Sequence, residues 1–184
     1  PHFYRRPFVV TIHDDTRFIF PGQKRQDLKQ QLAYEYVFTK TIARARDVVY
    51  VSATTHDDAR RLPVKITGRE SIIKEAVDDY FFTPVSSDRR QKVRMLLGSP
   101  DPYLLYVGVW MNHKNLARLI EAFAQVAKDY PQLKLVMTGK PIPGYSNVVK
   151  IAQKFQIADR VIFLGFIPDE LLPALYAEAV CCTF

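Results

Sequence analysis

Gly108 and Lys114 lie in the run YLLYVGVWMNHKNLARLIEAF at 103–123, a setting that suits an anion. The continuous apolar, β-forming residues at 103–109 read as a strand covered on both faces. Leu116, Leu119, Ile120, Phe123 and Val126 then recur at three- and four-residue spacing, the stripe of a helix over 115–129 that faces a sheet. Asn112 or Asn115 is its N-cap, and Pro131 follows its end. Gly108 thus falls at a strand exit and Lys114 at a helix entrance. Free backbone N–H groups at a helix start, with an ammonium beside them, make a ready phosphate site, so the segment points to an anionic ligand and above all to a nucleotide. Taken alone, Lys114 reads equally as a solvated loop lysine. His13 closes an apolar strand over 8–12 and is followed by Asp14 and Asp15. By itself it reads as a turn histidine.

The elements that must position these residues alternate along the whole chain. The first half reads as strand 8–12, a loop at 19–22 closed by Pro21 and Gly22, and a long helix over 23–46 with Leu28, Leu32, Tyr36, Thr39 and Ala43 on one side. A buried strand at 48–51, a helix over 52–62 with Thr54 or Thr55 as N-cap, and a strand at 71–74 follow. The second half repeats the pattern: strand 103–109, helix 115–129, strand 133–138, helix 145–155, strand 161–164, helix 169–177 and strand 179–184. Strands alternating with helices imply parallel sheets joined by right-handed crossovers. Between the halves, 78–102 is polar and proline-bearing with a basic helix over 88–97, and reads as a linker. The expected organisation is α/β: residues 1–84 form one domain, 85–102 the linker and 103–184 a second domain. A sheet strand that stops at Phe184 with no helix after it is the mark of a fragment.

Composition excludes several classes. With 48% hydrophobic and 24% charged residues the 184-residue chain is neither disordered nor short of core. No apolar run approaches a membrane span and no basic-then-apolar leader is visible. Cys181 and Cys182 are neighbours, and on a strand they point to opposite faces, so they do not pair with each other; a reduced, cytoplasmic protein is expected. The net charge of +7 favours anionic partners: nucleotide diphosphates, acidic lipid surfaces or nucleic acid. The basic residues are scattered, no arginine-rich run interleaves with aromatics, and no zinc-ligand or helix-turn-helix spacing is present, so nucleic acid is not expected. No metal cluster and no carboxylate pair with glycosidase spacing can be picked out.

Several motifs in register carry a resemblance. YVGVWMNHKNLARLIEAF, LKLVMTGK and RVIFLGFIPDELLPALYAEA resemble the C-terminal domain of the family 4 retaining glycosyltransferases, which have the GT-B fold and use nucleotide sugars. VVTIHDDTRFIFP, ARARDVVYVSATTHDDARRL and SIIKEAVDDYFFTP resemble the same family's N-terminal domain, so the resemblance covers almost the whole chain. It implies two Rossmann-like domains, each incomplete, because the family's opening strand with its glycine-rich loop and its later segment with two glutamates eight positions apart are not in this sequence. Lys114 matches the lysine that contacts the donor diphosphate, where it would neutralise charge on the leaving nucleotide. The arginine that often shares this task follows the strand's glycine, and here that position is Val109. Gly108 fits close approach of backbone to phosphate. Gly139 and Lys140 fall in a loop near the donor, although Lys140 also reads as a solvated turn lysine. Gly165, Phe166 and Ile167 match the segment whose backbone meets the nucleobase, while the plain reading of Phe166 is a core aromatic. His13 matches a histidine near the transferred sugar and acceptor, and Glu75 and Asp78 match a hinge motif. His113 would shape the loop beside Lys114.

The implied activity is transfer of a sugar, with retention, from a nucleotide sugar to a glycan or lipid-linked acceptor, as in polysaccharide biosynthesis. The nucleotide sugar is a substrate, no cofactor or metal is implied, and the fragment alone would be inactive. The runner-up is a non-catalytic module that binds an anion or a partner. Peripheral contact of the 23–46 helix with an anionic membrane surface is a third expectation, although its stripe suits packing on its own sheet better.

Overall fold

Short parallel strands, each feeding a helix, build this chain, and a computed structural model describes residues 4–15, 18, 28–140 and 147–184. The loop expected at 19–22 and the first residues of the helices expected at 23–46 and 145–155 lie outside the described residues. The chain divides into two compact units, Pro1–Val77 and Asp78–Phe184.

In the first unit, β1 (Val9–Ile12), β2 (Asp47–Tyr50) and β3 (Arg69–Ile72) form a parallel sheet in that order. Helix α1 (Leu28–Arg44) joins β1 to β2, and α2 (Ala53–Arg61) lies between β2 and β3. The core gathers Ile12, Ile42, Ala45, Val48, Tyr50 and Ala59, with Phe8, Val10, Phe38 and Ile66 packed against it. The inner face of α1 differs from the expected one. Leu32 and Tyr36 are 56% and 50% exposed, whereas Phe38 and Ile42 turn inward and the Phe38 ring lies 5.8 Å from that of Tyr34. The stripe Tyr34–Phe38–Ile42 is two residues out of phase with Leu32–Tyr36, about 200° around a 3.6-residue helix. Both stripes are apolar in the sequence, and contact with the sheet selects between them. The cap of α2 is Ser52, whose side chain accepts from Thr55 N at 3.0 Å, in place of the expected Thr54 or Thr55. The third strand runs two residues earlier than expected, in register with β2 at Tyr50↔Ile72.

In the second unit, β4 (Tyr103–Tyr106), β5 (Lys134–Thr138), β6 (Val161–Gly165) and β7 (Cys181–Thr183) form a parallel sheet ordered β6-β5-β4-β7. Around it lie α3 (Ser87–Leu97), α4 (Leu116–Asp129), α5 (Asn147–Lys154) and α6 (Leu172–Glu178). Alternation along the strands divides the apolar residues between two faces. Tyr106, Leu135 and Met137 join Leu116, Ile120, Phe123, Val148 and Ala152 of α4 and α5 on one side. Tyr103, Leu105 and Val136 join Val93 and Leu97 of α3 and Ala174 and Leu175 of α6 on the other. Covering on both faces is what made 103–107 a continuous apolar run. Val126, expected on the inner stripe of α4, is 40% exposed; Ala124 and Ala127 take that side instead.

The 85–102 segment, expected as a linker, lies inside the second unit, because Val93 and Leu97 are core residues there. Arg90 and Arg94, one helical turn apart, both bond Glu178 at the end of α6. Much of this helix's positive charge is therefore spent internally: Lys92 pairs with Asp88 at 2.8 Å, and the Arg89 guanidinium lies 5.1 Å from the Tyr80 ring. No helix among the described residues is long and apolar enough to cross a membrane.

Candidate functional site

The carboxyl ends of β4, β5 and β6 are bound to one another by their exit loops. Gly139 follows β5 with φ +84°, and its N–H donates to the carbonyl of Gly165 at the end of β6 (2.7 Å). On its other side a methyl group at Gly139 would stand 2.0 Å from the carbonyl oxygen of Gly108, beyond β4. A side chain is excluded there, and the two loops run in backbone contact. Gly165, φ +69°, is also left-handed. The Gly139 N–H is thus already used within the rim, and glycine at 139 serves the close packing of the two loops.

Trp110 fastens the first loop to the second. It is buried, its Nε1–H donates to the Thr138 carbonyl at 2.8 Å, its backbone N–H reaches the Lys140 carbonyl at 3.4 Å, and its ring packs on Phe163. The buried Tyr106 donates its hydroxyl to the Val109 carbonyl at 3.2 Å and so shapes the same loop; burial raises its pKa. Neither residue is singled out by the sequence reading. The one available signal was that the chain's lone tryptophan stands two residues past a strand-exit glycine, where a solvated loop has no use for it.

Lys114 ends a 3₁₀ turn over Asn112–Lys114, is half-buried, and holds its Nζ 4.3 Å from the centre of the Phe184 ring at the exit of β7. Asn115 caps α4 in the left-handed region (φ 49°, ψ 41°), and its side chain makes no capping bond. Asparagine tolerates that conformation. The start of α4 therefore lacks a side-chain oxygen of its own on the first N–H groups, and the partly positive end of the helix stands next to Lys114.

The remaining expected residues separate. Lys140 is exposed beside Gly139. Phe166 is 75% exposed, so the core-aromatic reading fails for it; its neighbour Ile167 is the one that turns inward, among Val136 and Leu175. His113 is exposed on the 3₁₀ turn.

In the first unit, His13 directly follows β1 and its Nδ1 lies 2.7 Å from Oε1 of Glu75, which stands beyond β3. Because β2 lies between β1 and β3, this exposed pair reaches across the carboxyl end of β2. Asp15 is buried, and its carboxyl pKa is raised by burial, with the nearby charges of Asp58 and Asp14 adding to the effect. Asp78, the first residue of the second unit, accepts from Tyr80 N at 2.8 Å and caps the 3₁₀ turn Asp79–Phe82.

A parallel α/β sheet with glycines and a lysine gathered at its strand exits defines the class: a Rossmann-like α/β unit. The family described as glycosyl transferases group 1 matches residues 87–183, and the chain belongs to that family. The chain is 28% identical over 115 residues to mannosylfructose-phosphate synthase of Agrobacterium fabrum, a match covering 59% of this chain and 25% of that protein. Among solved structures it resembles Anabaena Alr3699/HepE in complex with UDP and glucose (TM-score 0.74, 21% identity, 96% of this chain and 45% of that one). It also resembles WaaG, a glycosyltransferase involved in lipopolysaccharide biosynthesis (TM-score 0.73, 18% identity, 95% and 49%). The fold is that of the GT-B glycosyltransferases, with two parallel-sheet units. The chain spans under half the length of each of these relatives.

Proposed function

We propose that the second unit holds the diphosphate of a nucleotide sugar at the exits of β4, β5 and β6, and that the protein transfers the sugar, with retention, to a glycan or lipid-linked acceptor. The observation that carries this reading is the convergence of Gly108, Gly139 and Gly165 on one laced rim, in a member of the glycosyl transferases group 1 family. The UDP-glucose complex of HepE, a neighbour in fold, supports a nucleoside diphosphate sugar as donor.

Lys114 is the cation of this site. As the glycosidic bond breaks, negative charge builds on the departing diphosphate, and a fixed ammonium counters it more in the transition state than in the ground state. Val109 offers no second cation, so Lys114 and the amides of the α4 start carry that charge. The backbone of Gly165, Phe166 and Ile167 faces the nucleobase, and Lys140 lies near the phosphates. In the first unit, His13 with its Glu75 partner is the second catalytic residue of this reading. The site uses no metal, and the protein works in the cytoplasm, where nucleotide sugars are made. The 184-residue chain alone binds donor weakly and turns over none.

The test is a panel of nucleotide sugars, run on this chain for binding and on the longer protein for turnover, with the product anomer read by NMR. Lys114→Ala lowers kcat about 100-fold, as loss of one oxyanion-type contact does, and chelators leave the rate unchanged. Unchanged kinetics for Lys114→Ala removes Lys114 from the site. Donor binding by a longer protein that never transfers sugar would establish the binding-module reading instead.

A further inference from the structure

We infer that Trp110 is a positioning residue for the diphosphate site: it bolts the Lys114 loop to the Lys140 loop, so that both cations face a ligand from one rigid rim. The inference rests on the donor-site reading above and goes beyond it, because it assigns the setting of Lys114 to a residue that touches no ligand.

Two bonds link the loops through this one residue, the indole Nε1–H to Thr138 O at 2.8 Å and the backbone N–H to Lys140 O at 3.4 Å. Trp110 is only 4% exposed and its ring centre lies 5.4 Å from that of Phe163 on β6, so three consecutive strands of the sheet meet at it. Four residues further on stands Lys114, whose backbone N–H bonds Met111 O at 3.0 Å. The placement of that flexible four-carbon side chain therefore depends on where the 107–114 loop is held. Gly108 and Gly139 are already in backbone contact. That contact prevents closer approach but cannot prevent separation; the indole bond, the shorter of the two Trp110 bonds, adds to the backbone bond in opposing opening. A group with a fixed position raises affinity by removing the ordering cost at the moment of binding.

Because Trp110 is the chain's only tryptophan, its fluorescence reports on this joint directly. The experiment is a titration of the 184-residue chain with UDP and with inorganic pyrophosphate, followed by calorimetry in every variant and by Trp110 emission in the two proteins that keep the tryptophan. It is run on wild type, Lys114→Ala, Trp110→Phe and the double variant. Both ligands shift the emission. Trp110→Phe, which keeps a ring and loses the donor, weakens binding about 5-fold, the equivalent of one hydrogen bond's net contribution. In the Trp110→Phe background, Lys114→Ala costs less than half the fold-change it costs in wild type, because the ammonium is no longer aimed. Where Trp110→Phe does not fold, β-(3-benzothienyl)alanine at 110 removes the N–H and keeps the shape. Strictly multiplicative effects of the two substitutions would show that Trp110 only stabilises the fold, and would overturn the inference while leaving the donor site intact. Absence of any UDP or pyrophosphate binding in wild type would remove the site and the inference together.

Discussion

Replacing Gly139 by alanine tests the lacing of the strand exits most directly, because two other left-handed glycines of the same unit serve as controls. Gly98, Gly139 and Gly165 have φ of +66°, +84° and +69°, so each alanine pays the left-handed penalty, about 1–2 kcal/mol. A methyl group at Gly98 or Gly165 meets nothing within 4 Å, and its cost ends there. At Gly139 the methyl would lie 2.0 Å from the Gly108 carbonyl oxygen and 2.9 Å from its carbon, and both are backbone. No rotamer relieves that contact, so the loops must separate. Overpacking of this kind adds about 1–3 kcal/mol, and separation also strains the Gly139 N–Gly165 O and Trp110 Nε1–Thr138 O bonds. The total for Gly139→Ala is about 2–5 kcal/mol, against about 1–2 for Gly98→Ala and Gly165→Ala. Urea unfolding followed by Trp110 fluorescence reads the second unit alone, since it holds the only tryptophan. With a slope of about 2 kcal/mol/M, Gly139→Ala moves the midpoint down by about 1–2.5 M, roughly twice the shift of the controls. A Gly139→Ala midpoint no lower than that of Gly165→Ala would refute the claim that the two loops touch.

Two other substitutions address the joints around the site. Burial disfavours the Glu178 carboxylate, but bonds and charge from Arg90 and Arg94 outweigh it and hold its pKa below the usual range. Its folded value is thus below its unfolded value, so the stabilisation is fully present above the unfolded value and is lost as pH falls through the folded one. Glu178→Gln should cost about 2 kcal/mol at pH 7, as charged hydrogen bonds do, and wild type and variant should converge in acid; parallel unfolding curves at every pH would contradict the assignment. Arg160 donates to the carbonyls of Ala127, Tyr130 and Leu133 around the end of α4. Arg160→Lys, which swaps a planar fork for a point donor, should lower the second unit's stability by about 1–2 kcal/mol in the same urea assay, and no change would mean those carbonyls are satisfied by water.

Most of the fold was open to local reading. Strand runs such as Tyr103–Tyr106 and helix stripes such as Leu116–Ile120–Phe123 are set by the periods of the backbone itself, and they recur in the structure within a few residues. The strand-exit positions of His13, Gly108, Gly139 and Gly165 followed from the same periods, and glycine at 139 has the steric reason given above. What failed was phase and membership. Leu32 and Tyr36 form as good a stripe as Tyr34, Phe38 and Ile42, and only the sheet beneath decides which is buried. The basic helix at 87–97 looks like a linker because its partner, Glu178, lies more than eighty residues away in the chain. Phe166 and Ile167 are adjacent and both apolar, and the turn after Gly165 sends one to solvent and the other to the core.

By itself, then, the sequence determined the succession of elements, the parallel α/β class and which residues stand at strand ends, because each of these depends on spacing within a few residues. The tertiary structure decided the order β6-β5-β4-β7, the inner face of α1, and the joining of three exit loops through Trp110, Gly139 and Gly165. Those features depend on carbonyl groups and apolar surfaces brought together from distant parts of the chain, and no local period encodes where such a partner will be.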